Sequence, residues 1–503
     1  MSALRSSCLA GVLGLLLLAQ ACGGGSATPT SPAAPTAPSI SVQPGNTSVV
    51  TGQRATFNVT ALGDAPLTYQ WRRNGADIAG ASAFSYTTPA TAAGDDGARF
   101  SVTVANAVGS VTSAEATLSL RAPGSVAGAL PAGMPGHLAV GLMEDPGVTW
   151  MRDSGVAWDA RYHYFTKGWV NNWGWSGYDG SWGLSYFQEC DKQGFLPVVQ
   201  YYQMNGESGY NESIFYQTTR NAATMAGYFG DFKILMQRAK DFGKPVLVLM
   251  EGDGYAYMEI QSGGDPGAYS AIADSGLAEL KGLPNTVAGW GLAFLQLRKS
   301  VGASNVILGM HISAWATLKD ISYGSVTDPL EPEVQKAYGF LSQLGLAANV
   351  TGATYDVLVG DPLDRDSGYY QVVEKQDRWW DASDAAPITS KSCNRYAEWL
   401  RLWNQTAQKR WVLWQIPLGN SNHLNVPNAG GPRQGYQDNR PEYFFGSGTA
   451  HLQSFADAGV IALLFGAGVG GQSSYTNDVY SDGQLFMKSR AGAVLAQGSV
   501  PLP

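Results

Sequence analysis

An apolar run, Val246-Leu247-Val248-Leu249-Met250, ends in Glu251, and Asp253 follows two residues later. A carboxyl group at the end of such a run loses hydration, which raises its pKa toward the range of a proton donor. A second acidic group, Asp364 and Asp366, lies in Asp361-Pro362-Leu363-Asp364-Arg365-Asp366. Cleavage of a glycosidic bond needs two carboxyl groups, one to protonate the leaving oxygen and one to act as base or nucleophile. Glu251 is the expected acid, with Asp253, Asp364 and Asp366 as the other catalytic candidates. The plain alternatives are an ion pair of Glu251 with Arg161 or Arg365, and a salt bridge or loop cap for the two aspartates.

Other chemistries lack their residues. Outside the first 21 residues the histidines are His137, His163, His311, His423 and His451, with no His-Glu-x-x-His and no paired spacing for zinc. No Gly-x-Ser-x-Gly occurs; Gly446-Ser447-Gly448 lacks the spacers of a nucleophile elbow. An EF-hand loop counted from Asp364 would place Tyr369 and Lys375 where Gly and Glu are required. No metal and no cofactor is therefore expected, with a structural cation among Asp361–Asp366 as the open alternative. The net charge of −8 argues against nucleic-acid binding.

These residues need a scaffold. From about Leu138, apolar runs alternate with helical patterns, giving the candidate strands Leu138–Leu142, Val156–Tyr162, Leu196–Gln200, Val246–Met250, Val306–Met310, Ala353–Val359, Trp411–Ile416 and Val460–Phe465. Helical stretches fall between them at Ala223–Phe242, Asn285–Ser300, Glu333–Leu344 and Arg395–Gln408. This order predicts a (β/α)₈ TIM-type barrel over residues 125–503, with an open doubly wound sheet as the runner-up. In a barrel the chemistry lies at the C-terminal strand ends. Near the second strand these are Asp159, Arg161 and His163, with Trp173 and Trp175 in the following loop, and near the third Gln200 and Tyr202. Tyr255, His311 and Arg365 follow the fourth, fifth and sixth strands, and Gln415, Asn420, Asp438 and Arg440 the seventh. All are candidate substrate-binding residues; Asp438 has a helix N-cap as its alternative.

The Glu251-x-Asp253 ending resembles that of several barrel glycosidases, including the cellobiohydrolases of family six, and the whole module resembles a secreted barrel glycosidase. It departs from the largest retaining clan, whose nucleophilic Glu ends the seventh strand, because Gln415 stands there. The resemblance therefore implies a polysaccharide or oligosaccharide substrate, β-glucan-like by preference, and an inverting carboxylate pair. A non-catalytic carbohydrate-binding protein and a polysaccharide lyase are the alternatives.

The N-terminal part reads differently. Residues 1–21 have Arg5, an apolar run Leu9–Leu18 and a small-x-small end, Ala19-Gln20-Ala21, as in a signal peptide. Cys22 then resembles the acylated first residue of a bacterial lipoprotein, implying a membrane contact only through that anchor and a surface or periplasmic location; ordinary cleavage and export is the alternative. Residues 22–38 are a Gly- and Pro-rich tether. Residues 39–120 alternate in short runs, and Tyr69-Gln70-Trp71-Arg72-Arg73-Asn74-Gly75 with Asp96-Gly97-Ala98-Arg99-Phe100-Ser101-Val102 resembles bacterial immunoglobulin-like domains. Val59 and Val102 occupy the places of the usual inter-sheet disulfide, and Phe100 that of the corner tyrosine. Cys190 and Cys393 are either one disulfide or two buried thiols.

Composition follows this division. Residues 1–124 hold one of the 15 Trp and two of the 24 Tyr, so the aromatic surface that could stack on sugars belongs to the barrel.

Overall fold

The computed structural model describes residues 35–503 except 45–46, 53–54, 123–125, 176, 205–213, 322–328, 364, 381–392, 420–435, 437, 447–448 and 467–485. The expected signal segment, Cys22, most of the tether, Asp364 and Asn420 lie outside the described residues.

The alternating N-terminal runs form the sheets of an immunoglobulin-like sandwich. Thr68–Arg73 pairs antiparallel with Arg99–Ala105, placing Trp71 opposite Val102, and Arg99–Ala105 pairs onward with Ser110–Thr112 and Ala116–Arg121. Trp71 is fully buried against Phe57 and Tyr86, and its indole N–H donates to the Ala83 carbonyl at 2.9 Å. Val59 and Val102 are buried in the same core, so apolar packing stands where a bridge would otherwise cross the sheets. Phe100 stacks on Phe57 with ring centroids 4.4 Å apart.

The remainder closes into a parallel barrel of eight strands: β1 (Ala139–Met143), β2 (Ala160–Phe165), β3 (Leu196–Tyr201), β4 (Val246–Met250), β5 (Val306–His311), β6 (Val357–Gly360), β7 (Arg410–Pro417) and β8 (Val460–Gly466). Pairing of β1 with β8 completes the ring. Alternate residues face two cores. Tyr162, Val198, Leu247, Leu249, Val357, Val359, Val412 and Trp414 fill the interior, while Val199, Tyr201, Val248, Met250, Leu358 and Leu413 pack under the helices.

β2 and β6 begin later than their apolar runs predict. Trp158 packs in the outer layer beside Trp150, and Asp159 Oδ2 accepts the Val140 N–H at 2.9 Å at the base of β2. Asp356 Oδ2 likewise accepts the Leu308 N–H at 2.8 Å below β6. In both cases an Asp side chain satisfies a neighbouring strand's amide just before the strand begins.

Helix limits follow their caps. Asn221 accepts from the Thr224 N–H and Thr286 from the Gly289 N–H, starting Ala222–Phe242 and Val287–Val301. Both helices end at glycines in the left-handed region, Gly243 and Gly302. Cys190 and Cys393 are two buried thiols rather than a disulfide. They belong to the helices Ser181–Gln193 and Cys393–Ala407, which follow β2 and β6 and so lie four strands apart around the ring. Among the described residues, no helix is long and apolar enough to cross a membrane.

One buried acid carries a stability consequence. Glu259, on the helix Gly254–Gln261, is 6% exposed, and burial pushes its pKa up to about 7, against the opposing charge of Lys336. The folded state thus holds the proton more tightly than the unfolded chain, so stability from this group is lost as pH rises from about 4 toward 7. Glu259→Gln should remove that slope and stabilise the protein at pH 8 by on the order of 2 kcal/mol in urea unfolding. An equal difference between variant and parent at pH 4 and pH 8 would refute the assignment.

Candidate active site

Inward alternation brings four side chains to the upper rim of the barrel. Above the inward pair Val357 and Val359 stands Asp361; above Ile307, on the same parity, His311; above Val412, Trp414; and above Tyr162, Tyr164. One donor atom from each of Asp253, His311 and Asp361 lies within 4.8 Å of the other two. His311 Nε2 is 3.4 Å from Asp361 Oδ1, and the Asp253 amide faces Nδ1 at 3.2 Å. Ser313 Oγ donates to Asp253 Oδ1 at 2.8 Å and lies 3.3 Å from His311 Nδ1. Burial lowers the His311 pKa, but hydrogen bonding to Asp361 and the charges of Asp361 and Asp253 outweigh it and raise the net value.

The aromatic wall is built around Trp414, whose ring lies 5.8 Å from His311 and 5.9 Å from Tyr164; Tyr164 in turn meets Tyr202 at 6.4 Å. An irregularity in the β7–β8 register spans Leu413 to Ile416, and Gln415 takes a φ of +53° there. Such a bulge re-aims neighbouring side chains. Gly252 leaves room for this wall, because a Cβ there would sit 3.0 Å from the Trp414 ring.

Below the rim, several buried polar atoms make no hydrogen bond within the protein: both amide atoms of Gln200, the Tyr162 hydroxyl and Trp414 Nε1. Native interiors pair nearly all such groups, so a concentration of them in one throat points to a polar ligand. Gly466 keeps the Tyr162 hydroxyl in place, since a Cβ would come within 2.0 Å of it.

Glu251 is placed otherwise. With a φ of +37° its chain turns over at the top of β4, and the carboxylate is fully buried between the third-strand loop and the helix Ala222–Phe242. Its Oε1 accepts from Tyr228 Oη at 2.8 Å, the Gln203 amide at 3.1 Å and the Met204 amide at 3.3 Å. Burial pushes its pKa up to about 8 despite these three donors. Gln203 also donates through its side chain to Asp231, as does Tyr178, so both acids fasten the same loop.

Several other candidates lie away from the mouth. Asp159 is at the base of the barrel, bonded to His137 at 2.7 Å. Arg161 and His163 have the outward parity of β2. Arg161 is fully buried, 2.8 Å from Glu189 and 3.5 Å from Glu144, and His163 packs on Trp182 and Tyr186, where burial drops its pKa to about 4. Tyr255 donates to Tyr355 Oη in the outer layer. Arg365 covers the Tyr369 ring, and Asp366 is buried at the start of Ser367–Tyr369. Asp438 combines a cap with an ion pair: it accepts the Arg440 amide at 2.8 Å and the Ser367 amide at 2.7 Å and holds the Arg440 guanidinium over Trp380. Trp173 and Trp175 are exposed in the loop after β2.

Arg161→Met is expected to cost about 3–5 kcal/mol in chemical denaturation, because it strands Glu144, which is fully buried. An unchanged midpoint would show that this pair does not support the fold.

No protein family profile and no curated protein matches the chain. Solved structures similar to it contain immunoglobulin domains. A chimeric titin Z1Z2-Z1Z2 tandem is 25% identical with a TM-score of 0.16, over 17% of this chain and 51% of its own. The tandem Ig repeats of Dlar are 26% identical with a TM-score of 0.17, over 22% of this chain and 59% of their own. The chain thus spans about half the length of those structures. The sandwich rests on its own strand pairing.

Proposed function

We propose that the barrel is a glycoside hydrolase that cleaves a polysaccharide, β-glucan-like by preference, at its C-terminal mouth. The observation that carries this reading is the throat itself: acids beside unpaired amide, indole and hydroxyl groups under an aromatic wall. A sugar presents hydroxyls that such groups can bind and an apolar ring face that Trp and Tyr can cover. Asp253 and Asp361 are the reacting carboxylates on this reading. Their oxygens lie within 4.8 Å, closer than the roughly 6.5–9.5 Å that leaves room for an inverting enzyme's water, which favours retention over the inversion expected from sequence. Glu251 then acts as a positioning residue for the third-strand loop. Trp173, Trp175 and Tyr178, at 44%, 89% and 62% exposure, offer stacking faces for more distant sugar units.

The same reading takes residues 1–21 as an export signal and Cys22 as a lipid anchor, which would present the barrel to polymers outside the cell.

The test is release of reducing ends by the full chain from a panel of glucan, mannan, xylan and galactan. Release from at least one polymer is expected. Release from none, with an unsaturated product absorbing instead, would replace hydrolysis by elimination; no product of either kind would leave only binding.

A further inference from the structure

We propose that the floor of the mouth is a subsite for one neutral sugar unit, and that Gln200 is the residue that reads one of its hydroxyls. The inference deepens the proposed function and rests on its reading of the mouth as a sugar site. Gln200 is the last inward residue of β3, two beyond Val198, and pairs in register with Tyr164 of β2 and Leu249 of β4. It is fully buried, yet neither its amide oxygen nor its amide nitrogen has a hydrogen-bond partner within the protein.

Two further unpaired groups share this throat. A Cβ at Gly252 would lie 3.5 Å from Gln200 Nε2 and 3.0 Å from the Trp414 ring, so amide and indole border the same space. Trp414 Nε1 is itself buried and unpaired. The Tyr162 hydroxyl is the other such group, and its ring lies 6.1 Å from that of Tyr164. Tyr164 also meets Trp414, at 5.9 Å, and is half-buried where Gln200, Tyr162 and Trp414 are buried. Tyr164 therefore stands between these groups and the mouth, and its ring turns aside to admit a hydroxyl.

The energetics favour a ligand. An amide left unpaired at both ends destabilises the fold, whereas an apolar side chain of similar size would suit an interior of Val198, Leu247 and Leu249. A polar group kept at that cost is one that a ligand satisfies. An amide donates and accepts, as a sugar hydroxyl does, so the two can exchange both kinds of hydrogen bond. Amide, indole and phenol are uncharged, while the carboxylates of Asp253 and Asp361 stand together at the rim. A uronic acid would set a further negative charge against that pair, so the geometry selects neutral sugars. A sugar lacking the hydroxyl leaves Gln200 unpaired again, and that is the source of discrimination.

The experiment measures binding by calorimetry to the full chain carrying Asp361→Asn, so that no bond is cleaved during titration. The probes are trisaccharides of glucose, mannose, xylose and galactose, a galacturonic acid trisaccharide, and monodeoxy forms of the tightest neutral binder. At least one neutral trisaccharide is expected to bind, and the acidic one at least about tenfold more weakly. Adding Gln200→Met should weaken the neutral sugar at least about tenfold and raise the thermal midpoint by about 1–2 °C, because an unpaired polar group is removed. One monodeoxy sugar should lose about tenfold when Gln200 is present and nothing further when methionine replaces it. A residue that only packs would instead lower the midpoint and weaken every sugar alike. If Gln200→Met does not fold, Trp414→Phe, which keeps a ring but removes Nε1, decides by the same coupling. Unchanged binding in the folded variant, equal losses across all monodeoxy sugars, or binding of no trisaccharide would overturn the subsite. Coupled binding in a chain that releases no sugar with Asp361 intact keeps the subsite and removes hydrolysis. Sugar release indifferent to Gln200→Met does the reverse.

Discussion

Asp361→Asn is expected to lower kcat/KM on the best polysaccharide about 10³-fold while leaving the fold intact, because the residue stands at the mouth and carries no strand pairing. Asp253→Asn should fall in the same range, and the double variant should lose little more, since two groups that act on one bond do not add. The stereochemistry of the first product is a second readout. A carboxylate separation within 4.8 Å predicts net retention, seen by proton magnetic resonance before the released sugar mutarotates. A loss smaller than about tenfold in both single variants would remove the pair from the chemistry. A clean inverted anomer would keep the hydrolase but pair one of them with a more distant carboxylate.

The barrel was legible because most strands are short apolar runs and four helical patterns fall between them. Val246–Met250 is the clearest case, with the same limits in sequence and structure. The rim was less legible, and parity explains why. Nearness to a strand end selects candidates, but only alternate residues turn into the barrel. Arg161 and His163 flank Tyr162, which points inward, so they belong under the helices. The same count run forward from Val357 and Val359 reaches Asp361, and from Val412 reaches Trp414. The signal for both residues was therefore present as a period of two. Asp364 and Asp366 belong to the same acidic stretch but fall off that count.

Parity fails at one informative place. Leu247 and Leu249 point inward, so simple alternation sends Glu251 into the mouth beside them. The positive φ at Glu251 and at Asp253 breaks the count and exchanges their roles: Glu251 turns to Tyr228 and Asp253 to His311 and Ser313. Non-glycine residues in this region are uncommon and gather at functional sites. No pattern of residue types announces such a reversal, because it depends on the loop amides of Gln203 and Met204 that receive the carboxylate.

Glu251→Gln and Glu251→Ala should therefore separate sharply. A glutamine oxygen can still accept from Tyr228 and the two amides, so Glu251→Gln is expected to retain activity within about tenfold of the parent. Alanine strands three buried donors, each costing about 1–3 kcal/mol, and frees the loop that follows Gln200 and Tyr202. The larger loss in Glu251→Ala should appear in KM as well as kcat, together with an unfolding midpoint lowered by several degrees. A general acid behaves differently. Both replacements would then cost about 10³-fold or more in kcat, and a substrate whose leaving group needs no proton would restore the rate in either variant. Recovery by leaving group would move Glu251 from the support of the third-strand loop into the reaction, while recovery by glutamine keeps it where its hydrogen bonds place it.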